Sequence, residues 1–123
     1  MINVNIQTEP FTAYNIRRVR GDTKKILVKL SVGQDVTTPV DITSWTNFYL
    51  TVDPSKAPVN EFNNVEQMIG VIEDATEGVV SFSPSPDTPA GSYYFDIQAT
   101  DEDGGISTLV MGKYDLIQDI TKD

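Results

Sequence analysis

The 123-residue sequence contains neither histidine nor cysteine, and the two absences exclude much of enzyme chemistry. Without an imidazole the chain has no histidine general base and no Ser-His-Asp or Cys-His pair. Without a thiol it has no cysteine nucleophile, no thiolate metal site and no disulfide. Catalysis would have to rest on carboxylates, lysine, hydroxyl groups or a hard cation bound by oxygen. We therefore expect a non-enzymatic protein without a cofactor or a metal.

Basic residues and long apolar runs are also scarce. The chain has 9 Lys and Arg against 18 Asp and Glu, which gives a formal net charge of −9. This charge argues against nucleic acid as a partner, because binding phosphates requires a basic surface. The opening MINVNIQTEP lacks the basic and apolar regions of a secretory signal, and no apolar run reaches the roughly 20 residues that span a bilayer. We expect a protein made in the cytoplasm, with no membrane partner.

Strand patterns account for most of what is present. Residues 26–32, 48–52 and 93–99 alternate apolar and polar side chains with a period of two. Further strand-like runs, separated by Gly, Pro and Asp-rich turns, cover residues 11–19, 68–74, 77–84 and 106–117. The last run is long enough for a bent strand, and Gly112 is its expected break. These patterns predict an all-β protein, an antiparallel β-sandwich of about seven strands forming one domain over residues 1–123. Residues 1–10 are expected to be a flexible arm or one that is ordered on assembly.

One segment makes the sandwich more specific. In Asp87–Phe95, Gly91 permits a tight turn, and Tyr93 follows where its hydroxyl can reach back to the corner backbone. A tyrosine in this position is typical of immunoglobulin-like sandwiches. We expect Trp45 to pack in the core against Phe95. The alternative is that these are simply core aromatic residues of a β protein.

Charge is unevenly distributed along the chain. Residues 1–29 hold six basic and two acidic residues, a net charge of +4, whereas residues 30–123 hold three basic and sixteen acidic residues, a net charge of −13. Lysines that guard an exposed strand edge against aggregation are the plainest explanation. Two others stay open: the basic strip docks on the acidic face of another copy, giving a ring or filament, or it binds a polyanion.

Three local motifs have ordinary structural interpretations. Arg20–Asp22 has the sequence of an integrin-binding tripeptide, but Gly and Asp between two strand-like runs indicate a turn. Asp101–Gly105 starts like a calcium-binding loop, but its glycine comes too early and no glutamate stands near position 12 of such a loop. Asp-Gly between two strands indicates a hairpin instead. Neighbouring carboxylates such as Glu73 and Asp74 are expected to be solubilising rather than catalytic.

Candidate contact residues come from the basic strip and from tyrosines opposite the apolar rows. Outward tyrosines suit protein interfaces, and they also suit stacking on sugar rings. An adhesive or carbohydrate-binding module is therefore the alternative function, and the tyrosines could equally cover an edge strand. The predicted interface residues are Arg17, Arg18, Arg20, Lys24, Lys25, Lys29, Tyr49 and Tyr94.

Several short segments follow one another in the order and at the spacing of a known family. They are Arg20–Thr23, Val40–Thr43, Phe48–Val52, Gly78–Phe82, Asp87–Tyr94, and Asp103-Gly104 with Thr108 in the next strand. Over roughly residues 14–120, the chain resembles the N-terminal domain of bacteriophage baseplate upper proteins, an immunoglobulin-like sandwich of phage tail tips.

This resemblance implies a structural role in a virion and no catalytic residues. In that family a stalk and a receptor-binding or trimerising part usually follow the domain, whereas this sequence ends at Asp123. The expectation is therefore a small scaffolding or adaptor protein of a phage or prophage tail or baseplate, rather than a protein that binds the host receptor. Its partners would be further copies of itself, as a homo-oligomer, or other virion proteins, and its location would be the virion.

Overall fold

Eleven strands form in the part of the chain that the computed structural model describes, which comprises residues 2–6, 12–33, 36–54 and 66–118. Their length and spacing follow the alternating patterns of the sequence. The strands are β1 (Ile2–Asn5), β2 (Thr12–Ala13), β3 (Ile16–Val19), β4 (Ile26–Val32), β5 (Thr38–Pro39), β6 (Thr46–Asp53), β7 (Glu66–Ile69), β8 (Val71–Asp74), β9 (Val79–Phe82), β10 (Gly91–Thr100) and β11 (Ile106–Ile117).

The strands form two sheets arranged as a sandwich. The first sheet has the order β1-β4-β9-β8, with β5 attached to β4, and the second has the order β2-β11-β10-β6-β7, with β3 also paired to β11. The orders β4-β9-β8 and β11-β10-β6 are those of the central strands in immunoglobulin-like sandwiches. The predicted all-β sandwich is therefore confirmed.

The sandwich differs from the prediction in strand number and in strand direction. The run over residues 68–74 is divided at Gly70, so that β7 belongs to the second sheet and β8 to the first. A side chain at Gly70 would lie 2.6 Å from Cβ of Phe48 and 2.9 Å from the ring of Phe82, so the crossing between the sheets depends on glycine. In addition, β1 runs parallel to β4, and β2 and β3 run parallel to β11.

The prediction that residues 1–10 form a flexible or assembly-ordered arm is wrong for residues 2–5. Residues 2–5 form β1, in which Ile2 and Val4 are buried and pair with Val28 and Leu30 of β4. Burial of two apolar side chains offsets the entropy of ordering this segment. Residues 1 and 7–10 of the predicted arm lie outside the described residues.

The predicted apolar rows meet between the sheets. Phe48, Leu50 and Val52 face inward from β6 and are at most 4% exposed. Rows from β4 and β10 join them to form the core, which includes Ile26, Val28, Leu30, Phe95, Ile97, Ala99 and Tyr114. The aromatic neighbour of Phe95 is Tyr114, edge-on at 6.4 Å between ring centres, whereas Trp45 is partly buried and stacks on Phe48 at 6.2 Å. The expected pairing of Trp45 with Phe95 is not the one that forms.

Strand β11 is continuous, and its irregularity lies at Leu109 rather than at the expected Gly112. Ile97 pairs with Val110 while Gln98 pairs with Thr108, which leaves Leu109 as an extra residue. Such a bulge lets two consecutive side chains face the core, and both Leu109 and Val110 are buried.

Gly112 instead allows the close approach of the neighbouring chain. A Cβ atom at this position would overlap the backbone oxygen of Tyr14. Tyr14 donates its backbone N–H to the oxygen of Met111, and Lys113 donates its own to the side-chain oxygen of Asn15. The absence of a side chain at Gly112 therefore lets β2 and β3 follow one edge of β11.

The corner before β10 forms as predicted. The Tyr93 hydroxyl donates to the backbone oxygen of Pro89 at 2.7 Å. Glu66 fastens the same loop to β7, because it accepts hydrogen bonds from the backbone N–H of Ser85 and from the Thr88 hydroxyl at 2.8 Å. Burial, followed by the nearby Glu66 carboxylate, raises the pKa of Tyr114 to about 12, so this core tyrosine is neutral at pH 7.

Replacing Gly112→Ala should destabilise the fold strongly, because the new methyl group would overlap backbone that can move only if β2 and β3 leave β11. We expect a loss of at least about 3 kcal/mol in the free energy of unfolding, measured by urea denaturation. Lys113→Ala, at the exposed next position, is the control and should change it by less than about 0.5 kcal/mol. Equal stability of Gly112→Ala and the wild type would contradict the close approach.

Replacing Tyr93→Phe should lower the free energy of unfolding by about 1 kcal/mol, because it removes the hydrogen bond to Pro89 and leaves the ring in place. Tyr94→Phe is the matched control, since among the described residues the Tyr94 hydroxyl has no hydrogen-bond partner. Thermal unfolding of the two variants measures the difference. The same melting temperature in both would show that the corner bond does not stabilise the loop.

Candidate functional site

A basic turn lies where β3 passes into β4. Gly21 has φ of 95° there, and Asp22 donates its backbone N–H to the oxygen of Val19 at 3.1 Å. Arg18 donates from Nη2 to the backbone oxygen of Asp22 at 3.2 Å. The segment predicted as a turn rather than as an integrin motif is therefore a turn. It lies at the end of β11, because Val19 pairs with Ile117.

The turn, the end of β3 and the end of β11 line an open cleft of about 430 Å³. Two apolar side chains form part of its wall, Val19 at 38% and Ile117 at 40% exposure. Three cations and one carboxylate give it a net positive lining, which consists of Arg17, Arg18, Val19, Asp22, Lys24 and Ile117. A volume in the range of ligand pockets, about 300–1,000 Å³, exceeds what a single ion requires.

The structure divides the predicted basic strip. Arg17, Arg18 and Lys24 come together in the cleft, and Arg20 is anchored beside it by donating its backbone N–H to the oxygen of Ile117 at 2.7 Å. Lys29 lies in β4, paired with Val79 of β9 and away from the cleft.

Lys25 is engaged elsewhere, on the first sheet. Its Nζ lies 3.4 Å from the Oε1 atom of Glu73. The Ser81 hydroxyl donates to the same carboxylate at 2.6 Å. This hydrogen bond and then the charge of Lys25 lower the pKa of Glu73. Glu73 therefore holds Lys25 and Ser81 on the first sheet.

The opposite end of β11 begins at an acidic hairpin, Asp101–Gly105. Oδ1 of Asp101 accepts the backbone N–H groups of Asp103 and Gly105, both at 2.9 Å. Gly104 has φ of 85°, and Thr100 pairs with Ile106 across the turn. The predicted hairpin is confirmed. Glu102 and Asp103 are exposed at its tip, and Ile106 beside it is 73% exposed.

Two more acidic turns lie at the hairpin end. Strand β6 begins at Thr46, which pairs with Thr100, so the segment Asp41–Trp45 before it belongs to this end. Ile42 donates its N–H to the oxygen of Ala75, which brings the turn 74–78 alongside. The Thr43 hydroxyl and then its backbone N–H lower the pKa of Asp41. The three turns, 41–45, 74–78 and 101–105, contain no Lys or Arg.

A basic cleft and an acidic hairpin therefore lie at opposite ends of the sandwich. The cleft and the acidic hairpin lie at the two ends of the same strand, separated by the length of β11, about 37 Å at the usual rise per residue. The sequence shows the charge asymmetry but not this axis. Locating it requires strand directions, which depend on the parallel pairing of β3 with β11.

Tyr49 and Tyr94 lie on the outer face of the second sheet, and both are half-buried. Tyr49 pairs with Gln98, four residues along β10 from Tyr94, so about 14 Å separates the two tyrosines. They do not form one continuous aromatic platform. Asp96 lies between their rows. Its pKa is raised above the usual value, first by burial and then by the charge of Asp53.

Comparisons with known proteins provide no family for this chain. It matches no protein-family model and no curated protein. Over the described ranges, acidic side chains do not gather in groups of three or more that could hold a metal ion. The same residues include no helix long and apolar enough to cross a membrane.

Asp96→Asn should stabilise the protein at pH 7, because the native state then no longer holds a partly buried charge near Asp53. The raised pKa of Asp96 means that the wild type gains stability as pH falls through that pKa, until Asp96 is protonated in the unfolded chain as well, below about pH 3.9. The melting temperatures of the wild type and Asp96→Asn should therefore converge as the pH is lowered from 7 to 3. A variant less stable than the wild type at pH 7 would contradict this.

Proposed function

We propose that the protein is a non-enzymatic structural component of a phage or prophage particle, most simply a tail or baseplate adaptor that acts by assembly. The observation that carries the proposal is a basic cleft at one end of the β-sandwich and an acidic hairpin at the other. Surfaces of opposite sign on different parts of a molecule allow copies or partners to be joined in one direction. In this function the sandwich supplies a rigid spacer, and its ends supply the contacts.

The resemblance to baseplate upper proteins is the reason for placing this assembly in a phage particle. The segments that carry it belong to β6, β9, β10 and β11, to the turns beside them and to the turn between β3 and β4, and they include the corner in which Tyr93 reaches Pro89. Most of them are thus parts of the framework, and two are the basic turn beside the cleft and the hairpin 101–105. This fits a family role that is structural.

No specific observation favours the carbohydrate-binding alternative. Its candidate residues, Tyr49 and Tyr94, lie about 14 Å apart and half-buried, whereas stacking on a sugar ring requires an accessible aromatic face. For this reason we propose only the assembly function.

The proposal is tested on particles. Mass spectrometry of purified virions or induced prophage particles from the source of the sequence should detect the protein, and antibody labelling in the electron microscope should place it on the tail or baseplate. A fraction of disrupted cells without particles is the control. If the protein is found there and not in intact, purified particles, the proposed function is wrong.

A further inference from the structure

We infer that the cleft between β3 and β11 receives the acidic hairpin 101–105 of a second copy, so that molecules join end to end. The inference rests on the proposed assembly function, and it names the partner and both surfaces. It concerns one cleft and one hairpin, which lie too far apart in one molecule to meet.

The chemistry of the two surfaces is complementary. Arg17, Arg18 and Lys24 supply positive charge in the cleft, and Glu102 and Asp103 supply exposed carboxylates at the hairpin tip. Pairs between arginine and carboxylate are strong and directional hydrogen bonds. Within the described ranges, neither Glu102 nor Asp103 has a cation beside it.

Apolar side chains accompany the charges on both sides. Val19 and Ile117 line the cleft and are more than a third exposed, and Ile106 stands exposed at the base of the hairpin. An exposed apolar residue next to each charged surface provides area whose burial would favour the contact. The three side chains therefore extend the match beyond charge alone.

The hairpin is prepared for docking by its own hydrogen bonds. Asp101 is occupied in accepting two backbone N–H groups, and a third bond joins the N–H of Asp101 to the oxygen of Gly105 at 2.9 Å. A loop already held in one conformation loses less entropy on binding. The side chains that remain exposed for a partner are those of Glu102 and Asp103.

A second copy suits the cleft better than a long polyanion does. A polyanion that extends past the cleft would meet the carboxylates around it, such as Asp22 and Asp115, whereas a docked hairpin ends at the cleft. At 0.15 M ionic strength charges are screened beyond about 8 Å, so contacting pairs act while the distant charges do not. Because the cleft and hairpin are different surfaces, the contact is heterologous and propagates unless it closes into a ring.

Charge reversal tests the two surfaces together. The cleft variant carries Arg17→Glu and Lys24→Glu, and the hairpin variant carries Glu102→Lys and Asp103→Lys, which leaves Asp101 to hold the turn. Each alone should associate at least about 100-fold more weakly than the wild type, since like charges then face each other. Their equimolar mixture should associate again, because each hairpin then meets a cleft of opposite charge.

The measurement is light scattering after size-exclusion chromatography at 0.15 M salt, with X-ray scattering of the oligomers. End-to-end dimers should be longer than the monomer by about 37 Å, the length of β11. The controls are Glu77→Lys, which reverses one carboxylate in another acidic turn, and Lys113→Glu, which reverses a cation of β11 outside the cleft. Both controls should associate like the wild type.

A second measurement does not depend on the charge variants folding. The chain has no cysteine, so Ile106→Cys and Ile117→Cys proteins can be mixed and treated with a short bismaleimide. In an equimolar mixture, cross-linked pairs of position 106 with position 117 should exceed the sum of the two kinds of identical pair, which random contact would only equal. Equal numbers, or a prevalence of identical pairs, would overturn the inference.

The outcomes separate the inference from the proposed function. A wild type that stays monomeric at high protein concentration, a mixture that fails to associate, or equal loss in Glu77→Lys and in the hairpin variant overturns the docking of this hairpin in this cleft. None of these results bears on whether the protein is found in particles. Conversely, end-to-end association of a protein absent from particles would support the contact and contradict the phage role.

Discussion

Pairing on both edges of β11 is the constraint on which the rest of the structure depends. One edge pairs antiparallel with β10, and the other accepts β2 and β3 in parallel. The second pairing is possible because Gly112 leaves room for the backbone of Tyr14. Without it, the N-terminal strands would have no place in the second sheet, and the basic turn after β3 would not be held at the end of β11.

This arrangement converts a charge bias along the sequence into an axis through the molecule. The basic segment follows β11 to its far end and turns there, while three turns without a cation come together at the opposite end. Since the two ends are joined by one continuous strand, their separation is set by strand length and not by a hinge. A rigid spacer with unlike ends is the property that both the proposed function and the end-to-end contact use.

Much of the framework could be predicted from the sequence because its signals are local. Alternation of Ile26, Val28 and Leu30 shows a strand with one buried face, and Asp-Gly at 103–104 shows a hairpin. The tyrosine corner is similarly local, since Tyr93 reaches a backbone oxygen only four residues away. The bulge at Leu109 and the sheet change at Gly70 have weaker signals, because both depend on which strands become neighbours.

The sequence by itself determined the class of fold, the lack of histidine and cysteine chemistry, and the uneven distribution of charge. Composition and periodicity are sufficient for these because each reflects single residues or near neighbours along the chain. Only the tertiary structure decided that Arg17, Arg18 and Lys24 share a cleft, whereas Lys25 is paired with Glu73 and Lys29 lies on another sheet. Residues adjacent in sequence separate where β3 and β4 enter different sheets, so spatial grouping follows strand pairing rather than sequence distance.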